Sequence, residues 1–255
     1  MFAVFSDVHG NREALSAVLA ALKPMAPEKT ICLGDLVGYG PDPDWCLDAV
    51  LKACDVVLCG NHDFALIHGA GDFTDVAESS INYHRQLIMP RWNSSPEDAA
   101  RLRRWNALKQ LHHRLNQNGR LFVHGSPRNP INEYLRERDV KWGPKDKMTE
   151  NFALVDWIAF IGHTHRPGII TADMKFLKVE EVDNLYRVMP GRKAIINVGS
   201  VGQPRDGNPR ASFVTVEGPE VRFHRVEYDV ARTIAKIEAD GILDYHLAAR
   251  LRKGT

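Results

Sequence analysis

Short apolar runs that end in polar residues recur along this chain, and this recurrence limits its possible folds more than any other feature. Five such runs stand at residues 2–5, 30–33, 55–59, 121–123 and 157–161. Helix-period stretches, of which NREALSAVLAAL is the first, separate the opening three. Strand, loop and helix in repeated succession predict an α/β fold with a parallel sheet.

The remaining segments predict further layers. Residues 77–116 carry helix-period apolar positions, many charges and no clear strand, so we expect a helical insertion around residues 65–118. Runs at 194–198, 212–216 and 221–226 alternate or are β-branched at hairpin-like spacing, which predicts antiparallel strands of a second sheet. The tail at 230–250 is typical of one or two closing helices.

Length and charge narrow the class of protein. A chain of 255 residues is long enough for a sizeable core, and we interpret residues 1–255 as a single domain with the insertion inside it. A formal net charge of +1 argues against a stable nucleic-acid partner. No run approaches the roughly 18 apolar residues of a membrane span and no basic leader precedes Asp7, so we expect a cytoplasmic protein without membrane contacts.

Each of these strand ends is followed by side chains that bind metals. Because the carboxyl ends of strands in an open α/β sheet meet at one crevice, we expect these side chains to converge. They are Asp7, His9, Asp35, Asn61, His62, His124, His163 and His165. The set is large enough for two metal ions that share one bridging carboxylate.

The charge of such a site indicates the reaction class. Two divalent ions outweigh the carboxylates of Asp7 and Asp35 and leave the site at about +2, which attracts an anionic phosphate. Mixed imidazole and oxygen ligands favour Mn, Fe, Zn, Co or Ni over Ca, and suit Mg less well. We therefore expect two divalent metal ions as cofactors and a phosphorylated small-molecule or nucleotide substrate.

Five sequence blocks, in this order, resemble the signature of the calcineurin-like metallophosphoesterases. They are DVHGN at 7–11, GDLVG at 34–38, GNHD at 60–63, VHG at 123–125 and GHTH at 162–165. The stretch NVGSVGQPR at 197–205 resembles a further segment of a bacterial and archaeal phosphodiesterase-like subgroup. The resemblance implies a four-layer α/β/β/α sandwich of two mixed sheets.

The resemblance also implies a role for each residue of the set. The first metal ion would be bound by Asp7, His9 and His165. The second would be bound by Asn61, His124 and His163, with Asp35 bridging the two ions. In the mechanism that the resemblance implies, a metal-bridging hydroxide attacks phosphorus in line and His62 faces the leaving group.

One departure from the protein-phosphatase branch of the family bears on the substrate. That branch carries GDxVDRG, whereas this chain has Gly38 in place of the second Asp and lacks the following Arg. The missing Asp supports the leaving-group histidine in that branch, and Asp63 is the substitute partner that we expect for His62. A phosphodiester or a phosphorylated small metabolite is therefore favoured over a phosphoprotein.

Side chains just beyond these blocks are candidates for substrate contact. An arginine can bind phosphate through paired N–H donors, and a tyrosine can stack on a base or leaving group. The candidates are Tyr39, Arg128, Arg166 and Arg205. Loop residues of these types are also commonly just solvated or packed.

Other functions stay open at this point. Within the class they are a phosphomonoesterase or protein phosphatase, and a dinucleotide-polyphosphate hydrolase. In a different class, the same fold serves as a non-catalytic metal-binding scaffold for protein interaction, but such reuse should relax the catalytic set, which is intact here. The native metal, the preference for diester or monoester and the formation of a homo-oligomer stay open as well.

Overall fold

Two six-stranded mixed sheets face each other in the computed structural model, which describes residues 1–93 and 95–255. The strands are β1 (Phe2–Phe5), β2 (Lys29–Cys32), β3 (Val56–Val57), β4 (Arg114–Gln117), β5 (Arg120–Val123), β6 (Ile158–Ile161), β7 (Gly168–Thr171), β8 (Phe176–Leu177), β9 (Leu185–Arg187), β10 (Ala194–Asn197), β11 (Ala211–Glu217) and β12 (Glu220–Val226). The helices are α1 (Arg12–Met25), α2 (Pro43–Ala53), α3 (Asn61–His68), α4 (Asp75–Ile88), α5 (Pro96–Lys109), α6 (Glu137–Trp142), α7 (Lys145–Ala153), α8 (Val230–Asp240) and α9 (Tyr245–Lys253).

The strand order brings the polar loops together. The first sheet has the order β3-β2-β1-β11-β12-β9, and the second has the order β4-β5-β6-β10-β7-β8. Strands β1, β2 and β3 run parallel in the first sheet, as β5, β6 and β10 do in the second. The loops that follow the parallel strands of both sheets meet at one end of the sandwich. The amide of Asp7 donates to the carbonyl of Gly34 within the first sheet, and that of Gly162 to the carbonyl of His124 within the second. The amide of His163 donates to the carboxylate of Asp7 and so joins the two sets of loops.

An apolar layer fills the space between the two sheets. Val4, Ile31, Phe160 and Ile196 lie in it with exposures of 1% or less. The rings of Phe122 and Phe160 stack there with centroids 5.1 Å apart. Full burial of a side chain of this kind contributes about 1.5–3 kcal/mol to the free energy of unfolding, so this layer holds the sheets together.

Helices cover the outer face of each sheet. Helix α1 buries Leu15 and Val18, and α2 buries Leu47, in the apolar cluster on the first sheet. On the second sheet α7 buries Met148 and Phe152. The predicted four-layer α/β/β/α sandwich of two mixed sheets is therefore confirmed.

The assignment of the late strands to one sheet is wrong in part. The segment at 194–198 forms β10 of the second sheet, but those at 212–216 and 221–226 form β11 and β12 of the first. Strand β11 pairs antiparallel with β1, with Phe2 opposite Val216. The free edge of β1 accepts this hairpin, and a local hairpin pattern does not show which sheet edge it joins.

The predicted helical insertion ends earlier than 118. Helices α4 and α5 lie in it as expected, but residues 114–117 form β4, which pairs antiparallel with β5. Leu115, which fitted the helical period, instead packs against the apolar layer between the sheets. A four-residue edge strand with one inward apolar side chain is too short for the alternation of apolar and polar residues to distinguish it from a helix.

Other elements follow no strong pattern in the sequence. Strands β7, β8 and β9 and helices α6 and α7 were not predicted, whereas α8 and α9 confirm the closing helices expected at 230–250. None of the helices within the described residues is both long and apolar enough to cross a membrane.

Candidate metal centre

Loops after five parallel strands bring the predicted ligand residues together at one end of the sandwich. Each of these side chains is at most 6% exposed. They are Asp7, His9, Asp35, Asn61, His124, His163 and His165. Burial of this many polar side chains at one place costs free energy unless they are paired or bind an ion.

The backbone of this site is strained. Five of these residues have left-handed backbone with φ between 47° and 64°: Asp7, His9, Asp35, His163 and His165. Such conformations cost about 1–3 kcal/mol for a residue other than glycine, and they persist where the surrounding structure enforces them. Backbone hydrogen bonds between the loops enforce them here, for example from the amide of His9 to the carbonyl of Asp35 at 2.9 Å.

A first cluster of ligand atoms consists of Asp7, His9, Asp35 and His165, all within 4.8 Å of one another. The Nε2 atoms of His9 and His165 lie 3.1 Å apart. Nε2 of His165 is 3.2 Å from Oδ1 of Asp7, and Nε2 of His9 is 3.6 Å from Oδ2 of Asp35. These atoms point at a common centre, as the ligands of one ion do.

A second cluster shares Asp35 with the first and adds His124 and His163. Nε2 of His124 lies 3.3 Å from Oδ2 of Asp35 and 3.2 Å from Nδ1 of His163. Oδ1 of Asn61 is 3.0 Å from the same nitrogen of His124, so this amide oxygen belongs to the cluster. The one oxygen Oδ2 of Asp35 therefore faces both clusters.

Backbone carbonyls orient three of the imidazoles. His9 donates from Nδ1 to Val37 at 2.9 Å, His165 from Nδ1 to Gln203 at 2.6 Å and His163 from Nε2 to Asn132 at 3.2 Å. Each bond holds the proton on the outer nitrogen and turns the other nitrogen, with its free electron pair, toward the cluster. Outer hydrogen bonds of this kind are typical of histidines that bind metals.

Asp35 fits a position between cations. Its Oδ2 is buried and accepts no hydrogen bond from any residue that the structure describes. Although burial opposes ionisation, the imidazoles of His124, His62 and His9 hold the pKa of Asp35 well below its usual value. A buried, ionised oxygen without a donor suits a divalent ion, and so the Asp and His donors of this site fit metal ions.

His62 lies beside the clusters, outside both of them. Its ring centroid is 4.8 Å from that of His9, 4.6 Å from that of Tyr39 and 5.1 Å from that of Phe73. Burial lowers the pKa of His62 to about 4. A Cβ at Gly38 would overlap Nδ1 of His62, so the glycine that replaces the acidic residue of the phosphatase branch is what allows this ring to fit.

Asp63 is not the partner of His62, contrary to the expectation. Its carboxylate accepts the backbone amides of Asp35, Leu36 and Gly60 at 2.7 to 3.0 Å. These donors occupy it completely, because Asp63 lies at the start of α3 and faces the loop after β2. Nδ1 of His62 has no hydrogen-bond partner within the described part of the chain.

The predicted substrate contacts differ in their surroundings. Tyr39 is half-buried beside the rings of His9 and His62, and the Arg205 guanidinium lies 5.6 Å from the Tyr39 ring centre. Arg128 instead forms ion pairs with two acidic side chains, Glu133 and Glu150. Arg166 is exposed next to His165. Tyr39 and Arg205 therefore lie closest to the clusters, and all four assignments stay predictions.

Two residues that were not predicted from the sequence, Tyr134 and Arg136, lie next to the second cluster. The Tyr134 ring stacks on that of His163 at 3.6 Å, and the Arg136 guanidinium lies 4.0 Å from the centre of the Tyr134 ring. His84 also lies beside the site: its Nδ1 accepts the amide of Gly38 and its Nε2 donates to the carbonyl of Gly40. No local pattern indicates that these residues lie at the site, because the contacts of Tyr134 with His163 and of His84 with Gly38 join positions 29 and 46 residues apart.

A buried Asp and His cluster at the strand ends of two facing mixed sheets defines the class of metallophosphoesterases. The chain belongs to the calcineurin-like phosphoesterase superfamily, whose domain model matches residues 1–219. This confirms the family identified from the five sequence blocks.

Individual relatives agree with this membership. The uncharacterized protein MJ0912 of Methanocaldococcus jannaschii is 32% identical over 244 residues, which cover 93% of this chain and 91% of that protein. The crystal structure of a metallophosphoesterase from Sphaerobacter thermophilus is 33% identical with a TM-score of 0.79, covering 100% of this chain and 99% of that one. The crystal structure of hypothetical protein PH1004 from Pyrococcus horikoshii OT3 has 21% identity, a TM-score of 0.73 and the same coverage, and supports the fold.

Proposed function

We propose that this protein hydrolyses a phosphodiester or a phosphorylated small metabolite with two divalent metal ions, as a cytoplasmic enzyme. The observation that carries the proposal is the position of Oδ2 of Asp35, which faces both ligand clusters and has no other partner among the described residues. A carboxylate oxygen shared in this way suits two neighbouring cations.

The metal-binding side chains and His62 have different roles in the proposed reaction. When bound, the two ions lower the pKa of a coordinated water and offset the charge of the phosphoryl oxygens. His62 lies next to the first cluster and outside both clusters, so its imidazole is free to donate a hydrogen bond to the leaving-group oxygen. Its lowered pKa of about 4 keeps it neutral at pH 7, and it therefore acts as a hydrogen-bond donor with one N–H.

The alternatives receive less support. A protein phosphatase of the GDxVDRG type pairs its histidine with an acidic residue, and here Gly38 packs against His62 while Asp63 binds backbone amides. A non-catalytic scaffold would not need an arrangement in which three imidazoles are each oriented by a backbone carbonyl. Hydrolysis of phosphate esters accounts for both features.

The first experiment compares bis-p-nitrophenyl phosphate with p-nitrophenyl phosphate after chelation and separate return of Mn, Ni, Co, Zn and Mg. We expect metal-dependent hydrolysis with the diester preferred. A preferred monoester would favour a phosphomonoesterase, and an absence of turnover with every metal would contradict the proposal and favour the scaffold.

The role of His62 has its own test. We expect His62→Ala to retain wild-type metal content and to lower turnover of the diester by roughly 10²–10³-fold, because a hydrogen bond to the leaving group is lost. The control is His246→Ala, since His246 is exposed on α9, where we expect no change. Loss of metal from His62→Ala would show that His62 is itself a ligand.

A further inference from the structure

A tyrosine joins a predicted metal ligand to an arginine on the side of the second cluster. The Tyr134 ring stacks on that of His163 with an interplanar angle of 16° and a centroid distance of 3.6 Å. The Cζ atom of Arg136 lies 4.0 Å from the centre of the same ring. Two groups this close to one ring centre lie on opposite faces, so Tyr134 is enclosed between His163 and Arg136.

A looser arrangement of the same three residue types, with tilted rings at 55°, lies on the side of the first cluster. The Tyr39 ring lies 4.7 Å from that of His9, and Cζ of Arg205 lies 5.6 Å from the Tyr39 ring centre. Each cluster is therefore connected through one tyrosine to one guanidinium.

Neither guanidinium is neutralised by a carboxylate within the described ranges 1–93 and 95–255. Arg205 donates to the amide oxygen of Gln203. The Arg136 side chain lies on the Tyr134 ring and forms no ion pair within those ranges. Arg128, by contrast, forms ion pairs with Glu133 and Glu150. An aromatic face holds a guanidinium in place and leaves its charge and most of its in-plane N–H donors for a ligand.

The enclosed ring of Tyr134 indicates which kind of group is recognised there. With His163 on one face and Arg136 on the other, the ring offers no face on which a nucleobase can stack. The guanidinium is the recognition group on this side, and planar paired N–H donors fit phosphate oxygens. On the side of the first cluster the guanidinium of Arg205, near the Tyr39 ring, offers a second set of N–H donors.

We infer that Arg136 and Arg205 bind phosphate groups of the substrate other than the one that is cleaved. The preferred substrate is then an ester that carries several phosphates, such as a nucleoside polyphosphate. This inference rests on the proposed function, in which the two clusters hold the phosphate that is cleaved.

Binding of nucleotides that differ only in phosphate number tests the inference. Titration calorimetry on the Mn²⁺-loaded protein, at constant free Mn²⁺, compares a nucleoside monophosphate with its methylene-bridged di- and triphosphate analogues, which resist hydrolysis. We expect affinity to rise by about tenfold or more from mono- to triphosphate, as charge-assisted hydrogen bonds to arginine allow. Arg136→Gln and Arg205→Gln each reduce the rise, and the double variant abolishes it at unchanged metal content.

Arg120→Gln is the matched control. Arg120 also lies over an aromatic ring, that of Trp157 at 4.4 Å, but it stands at the start of β5, at the opposite end of the sandwich. This variant should keep the wild-type rise. An undiminished rise in the double variant, or an equal loss of affinity for all three nucleotides, would overturn the inference. Hydrolysis of bis-p-nitrophenyl phosphate by the wild type reports separately on the proposed function.

Discussion

Among single residues, Asp35 is the one through which the two ligand clusters meet. Asp35→Asn keeps the shape but removes the charge that faces both clusters. We expect the variant to lose activity below detection and most of its bound metal, because an amide oxygen does not offset two cations. Metal analysis by plasma mass spectrometry and the diester assay check this, with Asp156→Asn, an exposed acid two residues before β6, as the control. Full metal content in Asp35→Asn would contradict a shared carboxylate.

Gly38 decides whether the His62 ring fits. A Cβ there would overlap the His62 ring, and its φ of +85° is itself unfavourable for other residues. We expect Gly38→Ala to lower turnover at least about tenfold, because a displacement of roughly 1 Å at a catalytic group has effects of this size or larger. Gly207→Ala is the control, because Gly207 has the same φ of +85° with open space around it. Equal turnover in the two variants, measured on metal-loaded protein, would show that backbone strain alone is responsible.

At the scale of elements, the pair of helices α8 and α9 supports the loop that carries Tyr39. The family model ends at residue 219, before these helices. Ile237 and Leu247 belong to their buried cluster, against which Tyr39 packs. Lys236 also bridges Glu13 and Asp42 at 2.6 and 2.7 Å, which fastens α8 to the site loops. The two helices therefore hold Tyr39 beside the ligand clusters.

Leu247→Ala tests this support. The substitution should lower the free energy of unfolding by about 2–5 kcal/mol. It should also raise KM for the diester, because Tyr39 loses part of the apolar cluster against which it packs. Leu22→Ala is the control, because Leu22 is similarly buried at 5% exposure on α1 but lies in the core of the first sheet. We expect a comparable fall in Tm without the change in KM. A raised KM in both variants would assign the effect to general loosening.

Some of the secondary-structure elements could be predicted from the sequence, whereas the way they pair could not. The parallel strands and their ligands were predictable because each ligand follows its own strand directly in the chain. The pairing of β11 with β1 was not, since it joins segments separated by about 200 positions through backbone groups that every residue carries. The contact between Tyr134 and His163 was missed for a similar reason: the stacking depends on a loop path that no local periodicity encodes.

Across the whole molecule, His84 connects the helical insertion to the site, and its burial predicts that the fold loses stability in acid. It is fully buried on α4, accepts the Gly38 amide at Nδ1 and donates to the Gly40 carbonyl from Nε2, each at 2.8 Å. Both bonds require the neutral ring, because a protonated Nδ1 accepts nothing. Burial lowers the pKa of His84 to about 4, from 6.5 for an unperturbed histidine.

This lowered pKa fixes the sign of the pH dependence. Between about pH 6.5 and 4 the unfolded chain binds a proton at His84 that the folded chain excludes, so the contribution of His84 is complete above 6.5 and declines as pH falls, by up to about 1.4 kcal/mol per pH unit. Urea unfolding of chelated wild type and His84→Asn should therefore give stability differences that shrink from pH 7 to pH 4.5. Exposed His246→Asn should show no such trend. A difference that stays constant with pH would mean that His84 binds protons equally in the folded and the unfolded chain, and that the Gly38 amide is held in another way.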